Sequence, residues 1–331
     1  MDTIVALATS RGRAGVAVVR VSGPRAWEVC KKLTGRVPQP RRTALCKLSD
    51  RQGEPIDEAL VLVFDAGGSF TGERVVEFQT HGSPAIIAAL IREILRIEGV
   101  RAAEAGEFTR RAFEAGKLSL TEVEGLADLL EAETEAQRKL AQRIFDGTAA
   151  RLLESWRDDL LQSVSMLEAS IDFSDEEIPD DLSTHIRAPL IRVQTAIEQQ
   201  IAGSAASERI REGFEVAIVG AVNAGKSTLL NALAGREAAI TSERAGTTRD
   251  VIEVRMDLAG LPVTILDTAG LRESDDLVER AGVARALERA ESADLRVILL
   301  SSGVMPDGVT PREGDLLVHG KRDLGPPPSG T

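Results

Sequence analysis

The spacing of apolar and polar positions changes twice along the 331-residue chain, and the changes divide it into three segments. In the first, short apolar runs dominate. VAVVRV (16–21) and ALVLVF (59–64) predict strands, and ERVVEFQ (73–79) alternates as a half-buried strand does. Pro24 predicts the start of one helix, and Pro84 the start of another running through AIIAALIREIL. From Leu118 to Ile201 glycine becomes rare. Apolar residues there recur at helical spacing, as in LTEVEGLADLLEAETEAQRKL (120–140), with acidic side chains on the opposite face. Pro179, in the polar stretch Phe173 to Asp181, predicts a helix end, and the small residues AGSAAS (202–207) predict a linker. After Gly213 strands alternate with helices, which predicts an α/β unit. The expected architecture is an α+β N-terminal domain over residues 1–118, an α-helical domain over 119–210, and an α/β P-loop domain over 211–331.

Composition narrows the class. At 43% hydrophobic and 28% charged residues, the chain has the balance of a globular protein. Its longest apolar run, Ala85 to Ile91, is too short to span a membrane, and MDTIVALATSRGR lacks a basic leader and a signal-length apolar block. Cys30 and Cys46 are too few for a disulfide framework or a four-ligand zinc site, so a cytoplasmic protein is expected. The formal charge of −12 is unevenly spread: +4 over residues 1–120, −11 over 121–212 and −5 over 213–331. A nucleic acid would approach the first segment most easily, near Arg36, Arg41 and Arg42, although a solvated loop explains Arg41 and Arg42 equally simply. Net charge argues against strong non-specific nucleic-acid binding.

The chemistry is carried first by GAVNAGKST (220–228). This segment follows the apolar strand EVAIVG and opens the helix LLNALAG, satisfying G-x-x-x-x-G-K-[ST] with Gly220, Gly225, Lys226 and Ser227. Glycines let successive N–H groups turn inward onto phosphates, and the helix N-terminus adds a favourable dipole. Lys226 is expected to span the β- and γ-phosphates, Ser227 to ligate Mg²⁺, and Asn223, Ala224, Gly225 and Thr228 to complete the nucleotide cradle. Further along, Gly246-Thr247-Thr248-Arg249-Asp250 is a polar loop that places a threonine on the metal. Asp267-Thr268-Ala269-Gly270 ends the strand PVTIL, where a metal-shell carboxylate and a γ-phosphate-sensing glycine belong. Lys321 and Asp323 have the Lys-x-Asp spacing that reads guanine; Asp323 accepts two hydrogen bonds that adenine does not offer. In this order after a P-loop, the motifs point to GTP and a Ras-like GTPase. The residue that would hold the attacking water after D-T-A-G is Leu271, which has no polar atom.

Beyond these motifs, the sequence resembles the MnmE (TrmE) family of tRNA-modification GTPases. The resemblance runs through DTIVALATSRGRAGVAVVRVSGP (2–24), TGERVVEFQTHGSP (71–84), AEAGEFTRRAFEAGKLSLTEVEGLADLL (103–130) and LEASIDFSDEEI (167–178), almost the whole chain. It implies a dimerising N-terminal domain that binds a tetrahydrofolate derivative, a helical domain, and a G domain inserted into the latter. It also implies K⁺-dependent GTP hydrolysis when two G domains pair, with Asn223 on K⁺, the loop ending in Thr247 and Thr248 closing over that ion, and Thr248 on Mg²⁺. The family's water-orienting glutamate aligns with Glu279, which answers the puzzle of Leu271; the bland alternative for Glu279 is an exposed helix charge beside Arg280. The implied partners are a second copy, the FAD-containing protein MnmG, and tRNA, whose wobble uridine receives a carboxymethylaminomethyl-type group on C5.

For the folate pocket the candidates are Arg20, Glu107, Thr109 and Arg110. Glu107 suits a hydrogen-bond-rich pterin, and suits equally well the backbone N–H groups at a helix start. His81 is expected in a structural turn before Pro84.

Two departures from the family pattern stand out. Gly320 occupies the position of the asparagine that precedes Lys-x-Asp, so guanine affinity is expected to be weakened, and a Gly320→Asn version is expected to bind GTP more tightly. The chain also stops at Thr331, soon after the fifth G-domain strand, without the family's final helices and C-x-G-K motif. A fragment is therefore expected, with an N-terminal domain that folds better than its G domain. The alternative function is a folate-binding, dimerising remnant with an impaired G domain.

Overall fold

A computed structural model of the chain describes residues 2–172, 182–221, 224–236, 252–267, 288–300, 304–306 and 309–320. It forms two compact units, Met1–Val123 and Glu124–Thr331.

The first unit is built on a six-stranded sheet. Its strands are β1 (Thr3–Leu7), β2 (Ala14–Ser22), β3 (Ala44–Ser49), β4 (Pro55–Phe64), β5 (Val75–Gly82) and β6 (Val100–Ala102), in spatial order β3-β4-β5-β2-β1-β6. Every pair is antiparallel except β1 with β6. Period-two alternation explains the layering. Ala17, Val19 and Val21 of β2, and Ala59, Val61 and Val63 of β4, are buried, whereas Arg20 between them is not. Helix α1 (Ala26–Thr34) buries Ala26, Val29, Cys30 and Leu33, one helical stripe, and ends at Gly35 in the left-handed conformation. Helix α2 (Pro84–Leu95) begins on its proline, as expected, and buries Ile87, Leu90 and Ile94 in the same core. Helix α3 (Glu107–Glu114) follows β6. The strands expected at 16–21, 59–64 and 73–79 fall within or overlap β2, β4 and β5. His81, expected in a turn, lies in β5, and its Nδ1 contacts Asp57 Oδ1 at 2.8 Å.

Helix α4 (Leu120–Glu131) crosses from one unit's residues into the other's. It is followed by α5 (Glu135–Phe145), α6 (Thr148–Asp172) and α7 (Leu182–Glu212). The α5 start is a complete capping box: Thr134 accepts from the Gln137 N–H, and the Gln137 side chain accepts from the Thr134 N–H. Gly125 is required where α4 meets the end of α5, since a Cβ there would lie 2.6 Å from the Phe145 nitrogen. One expectation fails here. Residues 202–207 are not a linker but the interior of α7. Alanine is the best helix former and serine a tolerable one, so a single glycine costing about 1 kcal/mol does not break a 31-residue helix. Pro179 lies outside the described residues.

The second sheet contains β7 (Phe214–Gly220), β8 (Ile252–Leu258), β9 (Leu261–Asp267), β10 (Leu295–Leu300) and β11 (Leu316–His319), in order β11-β10-β7-β9-β8. All neighbours are parallel except the β8–β9 hairpin. The strand β7, flanked on both sides, is apolar along its whole length, as a fully covered parallel strand must be. Helix α8 (Lys226–Arg236) follows it. The hairpin turn at Gly260 accepts a hydrogen bond from the Ala136 N–H at 3.2 Å, and the Gln137 side chain donates to the Arg211 carbonyl at 3.1 Å. Arg211 also pairs with Asp128 at 2.9 Å, so helices and sheet of this unit are tied by specific polar contacts. Among the described residues, no helix is long and apolar enough to cross a membrane.

Candidate functional site

The phosphate-binding loop leaves the C-terminal end of β7, the middle strand of its sheet, and turns directly into α8. In open α/β sheets this edge is where ligands bind. Gly225 has φ +102°, a conformation that side-chain-bearing residues rarely adopt, and this allows the chain to turn from loop to helix in one step. The Ala224 N–H donates to the Ala221 carbonyl at 3.1 Å, and the Leu229 N–H to the Gly225 carbonyl at 2.9 Å. Lys226 is buried at 6% exposure, and its ammonium donates to the carbonyls of Gly220 at 2.6 Å and Ala221 at 2.9 Å. A buried cation is thus held at the loop, and beside it the first N–H groups of α8 lack partners within the helix. Ser227 and Thr228 are exposed in that first turn. Such a set fits a phosphate chain: a positive charge, a helix N-terminus and hydroxyls on one side.

Asp267 ends β9 and lies in register with Ile218 of β7, which brings it to the same edge of the sheet as the loop. Among the described residues no group of three or more His, Cys, Asp or Glu side chains could hold a metal. This suits a Mg²⁺ site, because that ion is ordinarily bound by one or two protein ligands together with substrate phosphates. Asn223, Thr247, Thr248, Thr268, Ala269, Gly270, Glu279, Lys321 and Asp323 lie outside the described residues.

Gly320 lies within them and changes one expectation. Its N–H faces the Leu300 carbonyl at 3.3 Å, and a Cβ added to it would stand 2.7 Å from the Ala224 carbonyl oxygen. An asparagine at 320 therefore meets P-loop main chain. The expectation that it would simply restore a missing hydrogen bond does not survive this geometry.

Sequence reasoning missed a buried ion pair behind the site. Arg296 of β10 forms a two-bond fork with Asp315, at 2.9 and 2.6 Å, and also donates to the Thr310 carbonyl at 2.8 Å. Their side chains are 6% and 3% exposed. Hydrogen bonding to Arg296 holds the Asp315 carboxyl below the usual aspartate range. The available signal was a single arginine inside the apolar strand LRVILL.

In the first unit, Arg20 donates to Glu77 Oε1 at 2.8 Å, and its guanidinium lies 5.8 Å from the Phe70 ring centroid and 5.7 Å from that of Phe108. Thr109 is half-buried; Arg110 is exposed and pairs with Glu104 at 3.2 Å. Glu107 is different. It is 2% exposed, and its two oxygens accept from Arg101 at 2.8 and 2.6 Å, from Arg111 at 2.9 Å and from the Glu104 N–H at 2.8 Å. Four bonds fill the acceptor sites of a carboxylate. Of the two roles weighed for Glu107, the structure displays the helix-start role, widened into an arginine cluster, and leaves no acceptor for a pterin. The Arg101 guanidinium hydrogen-bonded to it brings its pKa down to about 2.

A glycine-rich loop at the end of the central strand, a buried lysine on that loop and a helix N-terminus define a P-loop nucleotide-binding domain in the second unit. Residues 3–117 match the family model described as GTP-binding protein TrmE N-terminus, and residues 120–321 match the MnmE helical domain. Relatives named tRNA modification GTPase MnmE align with 98% of this chain. The one from Dinoroseobacter shibae is 57% identical over 326 residues, that from a Ruegeria species 58% over 323, and that from Parvibaculum lavamentivorans 52% over 330. The chain covers 76%, 75% and 75% of their respective lengths. The chain belongs to the tRNA modification GTPase MnmE family, and MnmE is a GTPase.

Proposed function

We propose that this protein is a K⁺-dependent GTP hydrolase that works in the cytoplasm with an FAD-containing MnmG-type partner to modify C5 of the tRNA wobble uridine. The observation that carries the reading is the Lys226 ammonium, buried at the P-loop beside the N-terminus of α8. In this reading Lys226 meets the β- and γ-phosphates, and Asn223, Ala224, Gly225, Thr228 and Asp267-Thr268-Ala269-Gly270 line the triphosphate. Ser227 and Thr248 hold Mg²⁺, and Asn223 and Thr247 hold K⁺. These cations supply positive charge where negative charge gathers during phosphoryl transfer. Glu279 orients the attacking water, the task Leu271 has no polar atom for, and Lys321 and Asp323 read guanine.

Residues 1–118 serve as the folate and dimerisation domain, 119–210 as the helical domain, and 211–331 as the G domain. Arg20, Thr109 and Arg110 are the proposed contacts to a tetrahydrofolate derivative, with Glu107 holding the arginines around them.

The test is phosphate release from GTP by the full chain in KCl and in NaCl, with Mg²⁺ in both. Faster release in KCl is expected. Equal rates in the two salts remove the potassium role, and no release in either, with nucleotide still bound, favours a folate-binding remnant.

A further inference from the structure

Two glycines at the ends of strands enclose the P-loop. Gly220 ends β7, and a Cβ on it would stand 3.0 Å from both the Cβ and the carbonyl oxygen of Leu299, and 3.4 Å from the Ala224 Cβ. Gly320 follows β11, and a Cβ on it would stand 2.7 Å from the Ala224 carbonyl oxygen and 3.5 Å from Leu299 Cδ2. Ala224 and Leu299 are 2% and 4% exposed, so neither has open space to move into. Nor is the Ala224 main chain isolated. Its N–H is bonded to the Ala221 carbonyl, and that same carbonyl accepts from the Lys226 ammonium. The segment that should read the base and the loop that should hold the phosphates therefore meet backbone to backbone, with no side chain between them.

We propose that Gly320 is a positioning residue: main-chain contact with Ala224 seats the P-loop, so that a side chain at 320, asparagine included, weakens nucleotide binding. This rests on the nucleotide-binding reading above. A Cβ closer than 3.0 Å to a main-chain oxygen forces one of the two segments to shift. Ala224 is the neighbour through which that shift reaches Lys226, and the phosphate-binding geometry moves with it. The ligand is a nucleoside diphosphate or triphosphate, and the effect acts on its phosphate end, not on the base.

The experiment is calorimetric titration of the full chain, Gly320→Ala and Gly320→Asn with GDP and with IDP, each with Mg²⁺, below the melting temperature of every form. Both variants are expected to bind GDP at least tenfold more weakly than the unsubstituted chain, with the GDP-to-IDP affinity ratio unchanged. A purely structural role would lower the melting temperature and leave affinity in the folded state alone. GDP binding by Gly320→Asn as tight as that of the unsubstituted chain, or tighter, overturns the proposal and leaves the proposed function standing. Failure of the unsubstituted chain to bind GDP at all removes both. Amide exchange in the unsubstituted chain needs no variant to fold: the Ala224 N–H is expected to be protected like those of β7, and exchange at the rate of an open loop overturns the proposal.

Discussion

The Lys226 ammonium donates to the Gly220 carbonyl at 2.6 Å, so the last residue of β7 and the first residue of α8 are clasped across the loop that separates them. Phosphate oxygens that enter the loop compete for the same charge, and the lysine needs only a small movement to exchange partners. Lys226→Ala is expected to lower GDP affinity more than a hundredfold, about 3 kcal/mol for charge-assisted hydrogen bonds lost to the phosphates. Calorimetry detects this directly. An affinity within threefold of the unsubstituted chain would remove Lys226 from the site.

Glu107 makes the stability of the first unit pH-dependent. Its pKa is brought from the ordinary 4.5 down to about 2 in the folded state, chiefly by the Arg101 guanidinium hydrogen-bonded to it. A lowered folded-state value means that the ionised pair stabilises fully above the unfolded value and is lost as pH falls from about 4.5 toward 2. Urea midpoints measured across that window are expected to fall with pH, and Glu107→Gln is expected to flatten this dependence. At neutral pH the same substitution should cost roughly 3 kcal/mol, because Arg111 is left buried beside a neutral amide. A stability unchanged at pH 7 would show that the cluster is incidental.

Asp315 plays the corresponding part in the second unit. It accepts both arms of the Arg296 fork and the Arg312 N–H at 2.8 Å, just ahead of β11. Asp315→Asn leaves a buried guanidinium without its counter-charge and is expected to destabilise the unit by about 3 kcal/mol. Because β11 leads into Gly320, GDP affinity should fall along with stability. Thermal unfolding and titration of the same sample separate the two effects.

The two thiols should be inert in the folded protein. Cys30 is fully buried, and burial pushes its thiol up to about 11, leaving almost no thiolate at neutral pH; Cys46 is also buried. Iodoacetamide at pH 7.5 is expected to leave both unmodified in native conditions and to label both in denaturant, as mass spectrometry will show. Rapid native labelling at Cys30 would contradict the packing of α1 against the sheet.

Local order was legible without coordinates wherever a single period or a single motif dominated. Alternation along β2, β4 and β5, the proline at the head of α2 and the glycine-rich turn after β7 are all statements about neighbours in the chain, and each was read from the letters. The interior of α7 was misread because small residues are compatible with helix and linker alike, and only continuous backbone hydrogen bonding distinguishes them. What no local pattern could contain was the meeting of distant segments. Glu107 was ambiguous until the fold brought Arg101, Arg111 and the Glu104 N–H around one carboxylate. Gly320 read as a lost side chain until the sheet laid it against Ala224, about a hundred residues earlier, at a distance where only hydrogen fits. The sequence by itself determined which segments become strands and helices and where phosphates can be held, because those follow from short-range sterics and periodicity. The tertiary structure decided which groups are already spent on protein partners and which position tolerates no side chain, because close packing is a property of surfaces that meet only after folding.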